Sequence, residues 1–146
     1  MIEYGFTVPG KEEYDRLRSL VGWEKISEAQ FENGMKNSIS VSAREGGKLV
    51  GYARTITDRG MLSFIVDVMV DPGMQRQGIG KALVRMLMDA HKEWLAPGEI
   101  GYISVLSTSG REPFYKKLGF AARPNVLLGA GMTAKVRAPK NKNEIN

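Results

Sequence analysis

Apolar and polar residues alternate along this chain with two different periods, and the changes of period mark its elements. Residues 2–8, IEYGFTV, read as an opening strand. In 10–22, Tyr14, Leu17 and Val21 share one helical face, and Gly22 is placed to end that helix. Ser27 followed by Gln30 is a capping-box pattern, and Phe31 and Met35 then fall on one face of a second helix within 27–38. Two strand-like runs, 38–44 and 48–57, flank Gly46-Gly47, a favourable two-residue hairpin turn. Asp58-Arg59-Gly60 marks another turn. The run 61–70, MLSFIVDVMV, is the most apolar and predicts a central strand, ended by Pro72, which has no N–H for a ladder.

Ile79, Leu83, Met86, Leu87, Ala90 and Trp94 recur at helical spacing, with Lys81, Arg85, Asp89 and Lys92 between them, and predict a helix over 80–95. His91 lies among polar neighbours there and reads as a surface residue. Residues 101–107 read as a strand. Residues 111–120 hold a short helix with Pro113 in its first turn and Gly119 just past its end. Residues 121–136 predict one or two closing strands, interrupted by Gly129 and Gly131. The order β-α-α-β-β-β-α-β-α-β(-β) predicts an α+β fold: a mixed sheet of six to seven strands with about four helices packed on it. One domain is expected over 1–137, followed by a basic, flexible tail at 138–146.

Composition narrows the chemistry. The chain has 146 residues, enough for one domain, and 42% of them are hydrophobic. Without cysteine there is no disulfide framework and no thiolate nucleophile. The single histidine, His91, argues against a zinc cluster, and no metal is expected. No basic-then-apolar leader opens the chain, and no run approaches the roughly 20 apolar residues of a membrane helix. A cytoplasmic protein with no membrane partner is therefore expected. The net charge is +5, part of it from Lys135, Arg137, Lys140 and Lys142 against Glu144 near the C-terminus. That stretch reads as a solvated terminus. A nucleic-acid arm would need a denser basic run, so no specific nucleic-acid partner is expected.

The chemistry concentrates in residues 66–83, VDVMVDPGMQRQGIGKAL, where an apolar strand gives way to a glycine-punctuated turn and then a helix. A helix N-terminus exposes unpaired N–H groups and partial positive charge, a natural seat for phosphate. Gly78 and Gly80 let a ligand approach the backbone and tolerate positive φ. Arg76 and Lys81 add charge. Together these features suit a pyrophosphate-sized anion. Two common nucleotide motifs fail: Gly73 to Gly78 has Walker A spacing but lacks the following Lys and hydroxyl residue, and a dinucleotide fingerprint would need glycine at Leu83.

Gln75-Arg76-Gln77-Gly78-Ile79-Gly80 resembles the Q/R-x-x-G-x-G/A signature of the GNAT superfamily of acetyl-CoA-dependent N-acyltransferases. The lead-in VDPGMQ, the helix that follows and the later PFYKKLGF segment all resemble that family, as does the element order over about residues 2–137. The resemblance implies a GNAT-type sheet, mostly antiparallel and splayed between its fourth and fifth strands. It implies that the pantetheine arm of acetyl-CoA, the co-substrate, lies in the splay against the backbones of Val68, Met69 and Val70. The pyrophosphate would then meet the N–H groups of Gln75, Arg76, Gln77, Gly78, Ile79, Gly80 and Lys81.

Acyl transfer from a thioester to an amine requires the amine to lose a proton, a donor for the carbonyl oxygen, and a proton for the departing sulfur. With no cysteine to carry the acyl group, direct attack in a ternary complex is the simpler route. By resemblance, Tyr115 is the general acid. Asp67 is a charge inside the apolar run FIVDVMV, costly to bury unless it has partners or work to do. Two roles stand side by side for it: the general base, or a structural carboxylate bonded to its neighbours. A backbone N–H near Val68 is a candidate donor to the carbonyl oxygen. Many family members carry an Asn ahead of the motif Tyr; here that position is Thr108. Trp23 and Glu24, between the first two helices, fall where the family walls its acceptor pocket.

The expected function is N-acetylation of a primary amine, on a small molecule or a peptide, by a protein for which a homodimer is one expected assembly. The alternative is a non-catalytic CoA-binding sensor.

Overall fold

Two glycines fix the register of the central hairpin. Gly46 and Gly47 take φ of 55° and 81°, the left-handed pair of a type I′ turn, and set Glu45 opposite Lys48. The strands they join are β2 (Ile39–Glu45) and β3 (Lys48–Thr57). β1 (Ile2–Gly5) pairs antiparallel with β2, and β4 (Leu62–Val70) antiparallel with β3. β5 (Tyr102–Val105) runs parallel to β4. In this computed structural model, which describes residues 1–140, the sheet order is β1-β2-β3-β4-β5.

The sequence predicts six to seven strands; the described residues form five. The discrepancy lies in 121–136, which make no ladder. There the Asn125 side chain accepts from the N–H groups of Leu127 and Leu128 at 2.9 and 3.0 Å, and the Asn125 N–H donates to Leu128 O at 2.8 Å. Side-chain bonding of this kind competes with sheet pairing, and Pro124 has no N–H to offer. Val126 and Leu127 are left exposed. Of the basic tail, residues 138–140 carry no helix or strand; Lys142 and Glu144 lie outside the described residues.

The described residues form four α-helices, as predicted: α1 (Lys11–Leu20), α2 (Glu28–Lys36), α3 (Ile79–Glu93) and α4 (Glu112–Lys116). Gly22 follows α1 at φ 83°. The Ser27 Oγ accepts from the Gln30 N–H, and Gln30 Oε1 accepts from the Ser27 N–H, both at 3.1 Å, which completes the capping box. Tyr14, Leu17, Phe31 and Met35 from α1 and α2 pack with Leu49, Tyr52 and Met69 of the sheet. A separate core sets Ile79, Leu83, Val84 and Leu87 of α3, with Tyr115 of α4, against Val41, Ala43, Val50, Ala53 and Ile65.

His91 is buried at 2% exposure, not on the surface as the sequence predicts. Polar residues lie close to it in sequence, but it stands four and seven residues after buried stripe positions: Val84, Leu87 and His91 follow i, i+3, i+7 spacing. Its Nδ1 lies 2.5 Å from Ser63 Oγ. Gly101 approaches it so closely that a Cβ there would overlap Nε2 and stand 2.7 Å from Cδ2. The imidazole is pinned by Ser63 and cannot swing away. Gly101→Ala is therefore expected to destabilise the fold by about 1–3 kcal/mol, the usual cost of overpacking. Urea unfolding checks this, and an unchanged midpoint would refute the close approach.

Candidate active site

The site begins with a defect in β4. Tyr52 pairs with Met69 and Arg54 with Val66, so the single residue Ala53 faces two residues, Asp67 and Val68. This is a β-bulge, and Asp67 takes its left-handed position at φ 55°. The bulge bends β4 just where β5 leaves it. Parallel pairing ends at Ile65–Val105, so Val66–Val70 have no partner on the β5 side. The result is an open V bounded by the outer half of β4. Val68, Met69 and Val70, the residues expected to meet a pantetheine arm, form its wall, with Met69 buried on the α1 side.

Beyond Val70 the chain turns through Pro72–Met74. Asp71 caps that turn by accepting from the Gly73 N–H at 3.0 Å, and the Asp71 N–H donates to Val50 O at 2.8 Å. The Gln75 side chain donates to Val70 O at 3.2 Å, tying the loop back to the strand. Arg76 and Gly78 then both take left-handed conformations, at φ 64° and 81°. Two left-handed residues this close to the head of a helix make the loop a candidate anion-binding nest of backbone N–H groups. The first intrahelical bond of α3 runs from Ala82 N–H to Gly78 O at 3.0 Å. The N–H groups of Ile79, Gly80 and Lys81 therefore remain available at the positive end of the helix.

The two glycines do different work. A Cβ on Gly78 would meet nothing within 4 Å, so the space above it is open and its left-handed φ is the constraint. Gly80 has an ordinary φ, and a Cβ there would touch Phe114 Cζ at 3.4 Å and Val70 Cγ2 at 3.5 Å. Gly80 thus seats α4 against the start of α3 and does not use the positive φ that glycine tolerates.

That seating brings in Tyr115. It is 9% exposed, packed in the α3 core with Val68, Val70 and Val105 against the same cluster. Its ring is edge-on to Phe114 and Phe120, with centroids 4.9 and 5.7 Å away. Burial pushes its hydroxyl pKa above the ordinary tyrosine value, partly offset by the charge of Arg111. The proton is thus held throughout the neutral range. Thr108 lies in the preceding turn, exposed, its carbonyl accepting from the Arg111 N–H at 2.9 Å.

Asp67 sits on the other side of β4 from this core. Its Oδ2 accepts from Tyr14 Oη and from Arg54 Nε, both at 2.7 Å, and its Oδ1 lies 3.7 Å from Arg18 Nη1. Arg54 also donates to Ser38 Oγ at 2.7 Å. Arg18 donates to Glu24 O at 2.6 Å and lies over the rings of Tyr14 and Trp23. Burial, then the bond to Asp67, raises the Tyr14 pKa to about 12. Tyr14, Arg18 and Arg54 were not singled out by sequence reasoning. Arg54 carried the same signal as Asp67, a lone charge inside an apolar strand (LVGYARTI).

A bulged fourth strand, an open V, a nest of N–H groups and a buried tyrosine thus converge on one end of the sheet. Residues 11–134 match the family model of the acetyltransferase (GNAT) domain. The chain belongs to the GNAT family. Among GNAT relatives, it is 34% identical over 125 residues to a histone acetyltransferase, TAP1, of Glycine max, covering 77% of this chain and 52% of that protein. It is 39% identical over 109 residues to the chloroplastic GCN5-related N-acetyltransferase 2 of Arabidopsis thaliana, covering 69% of this chain and 41% of that one. The chain thus spans about half the length of these curated relatives, or less. A Staphylococcus aureus structure described as a probable acetyltransferase superposes with a TM-score of 0.81 at 26% identity, covering 93% of this chain and 100% of the other. GNAT acetyltransferases use acetyl-CoA as co-substrate. Among the described residues no helix is long and apolar enough to cross a membrane.

Proposed function

We propose that this chain transfers an acetyl group from acetyl-CoA to a primary amine by direct attack within a ternary complex. The observation that carries the proposal is the candidate nest at residues 75–81, where Arg76 and Gly78 are left-handed, the space above Gly78 is open, and α3 begins its internal bonding only at the Ala82 N–H. An anion the size of a diphosphate suits those donors. The unpaired outer half of β4 suits an elongated arm bearing amides, which pairs with backbone as an added strand would.

Acetyl-CoA, when bound, supplies the acetyl group already activated as a thioester. The protein's part is orientation and the proton for the departing sulfur; the proton that the attacking amine loses passes to solvent water. The backbone of Val68–Val70 aligns the arm. An N–H near Val68 is the donor assigned to the carbonyl oxygen. Tyr115 Oη holds a proton for the departing sulfur, and its raised pKa keeps that proton in place at neutral pH. The names of the relatives, which include a histone acetyltransferase, favour an amine on a protein or peptide as acceptor; a small-molecule amine remains within the same chemistry.

Titration calorimetry of the purified protein with acetyl-CoA tests the proposal first. Binding is expected, followed by CoA release when a panel of peptide and small-molecule amines is added. No heat with acetyl-CoA would overturn the function. Tight binding with no turnover on any amine would favour the sensor.

A further inference from the structure

A strand residue with positive φ needs a reason to stay there. Asp tolerates the left-handed region better than most side chains, yet the conformation is still unfavourable unless its surroundings hold it. At Asp67 the surroundings are explicit. Arg54 stands on β3 beside the bulge, and Tyr14 reaches in from α1, 53 residues earlier in the chain. Both bond the same oxygen, Oδ2, at 2.7 Å. Arg54 is itself fixed to Ser38 past the end of α2, and Arg18 faces the other oxygen. The Asp67 side chain is only 12% exposed. Two donors and a further guanidinium, from two elements, therefore converge on a carboxylate whose own backbone is the bend in β4.

The geometry points to Asp67 as a positioning residue: clamped by Arg54 and Tyr14, it holds the β4 bulge in its left-handed turn and so sets the line of the Val68–Val70 backbone that acetyl-CoA would meet. This rests on the function proposed above. The clamp acts at a distance from any transferred atom. Arg54 and Tyr14 become residues on which cofactor affinity depends, although they lie on the face of the sheet opposite the α3 core.

The test is acetyl-CoA affinity by calorimetry, which needs no acceptor. Asp67→Ala loses both the clamp and the tolerance for positive φ, and is expected to bind about tenfold more weakly, the left-handed penalty expressed as a binding ratio. Asp67→Asn keeps an acceptor oxygen and the left-handed tolerance, and should stay within about threefold of the wild type. Arg54→Gln and Tyr14→Phe, which leave β4 untouched, should each weaken binding several-fold. Arg54→Gln combined with Asp67→Ala should be little worse than Asp67→Ala alone, because the two act through one link. Gly101→Ala, destabilised elsewhere, should bind as the wild type does, separating positioning from general loss of stability. Wild-type affinity in Asp67→Ala and Arg54→Gln would overturn the clamp while leaving the proposed function intact. No binding by the wild type would overturn both.

Discussion

Gly78→Val is expected to abolish measurable acetyl-CoA binding while leaving the fold assembled. Gly78 precedes α3 at φ 81°, and nothing in the protein lies within 4 Å of where its Cβ would be. The substitution therefore creates no internal clash. Its cost arises from two other sources. A β-branched residue resists the left-handed conformation by about 1–2 kcal/mol, so the turn relaxes and the N–H groups of the nest no longer converge. The new methyl groups also project into the open space above the turn, the proposed seat of the diphosphate. Together these should weaken binding at least about 100-fold, or about 2.8 kcal/mol. Gly78→Ala suffers mainly the first cost and should fall between the two. Gly80→Ala has an ordinary φ and meets Phe114 and Val70 only at 3.4 Å or beyond, so it should lose far less affinity. If Gly78→Val titrated like the wild type, the N–H groups around residue 78 would not be the diphosphate's seat. Circular dichroism of the same samples shows whether the fold has held.

The contrast between these two glycines shows what could be read from sequence and what could not. The motif located the turn, and glycine at both positions was enough to suggest close backbone approach. Sequence cannot say which glycine takes positive φ, nor that Arg76, with a full side chain, does so too. That choice is made by the loop as a whole, through Asp71 capping Gly73 and Gln75 bonding Val70. Local signals survived well where the cause was local. The Gly46-Gly47 turn, the Ser27–Gln30 box and the amphipathic face of α3 each depend on residues within a few positions of one another.

Signals that depended on distant partners did not survive. Asp67 was visible as a charge in an apolar strand, but its partners Tyr14 and Arg54 are joined to it only by the fold. His91 looked exposed because its neighbours are polar, whereas the helical stripe it shares with Val84 and Leu87 buries it. The apolar run at 121–136 resembled strand because its composition suits one. A strand also needs an edge to pair with, and β5 offers only four residues while the Asn125 turn takes up the nearby N–H groups itself.

Tyr115→Phe is expected to lower kcat by about 100-fold or more, the usual contribution of a positioned general acid, while acetyl-CoA affinity stays near the wild-type value. Here the packing argument sharpens the chemical one. Tyr115 holds its place through its ring, edge-on to Phe114 and Phe120 and buried in the α3 core. Its pKa is raised by burial and lowered somewhat by Arg111, with no hydrogen bond among the causes. Removing the oxygen therefore leaves the packing intact, and stability should change by no more than about 0.5 kcal/mol. The loss would belong to the hydroxyl alone. The raised pKa adds a second expectation. A hydroxyl held above the ordinary tyrosine range keeps its proton through the neutral range, so there the variant should show the same pH limbs as the wild type, at a uniformly lower rate. The measurement is a pH series of turnover with the amine that reacts fastest in the panel, beside calorimetry on the same protein. Equal turnover in the variant would remove Tyr115 from the chemistry, and the departing sulfur would then take its proton from water admitted through the open V.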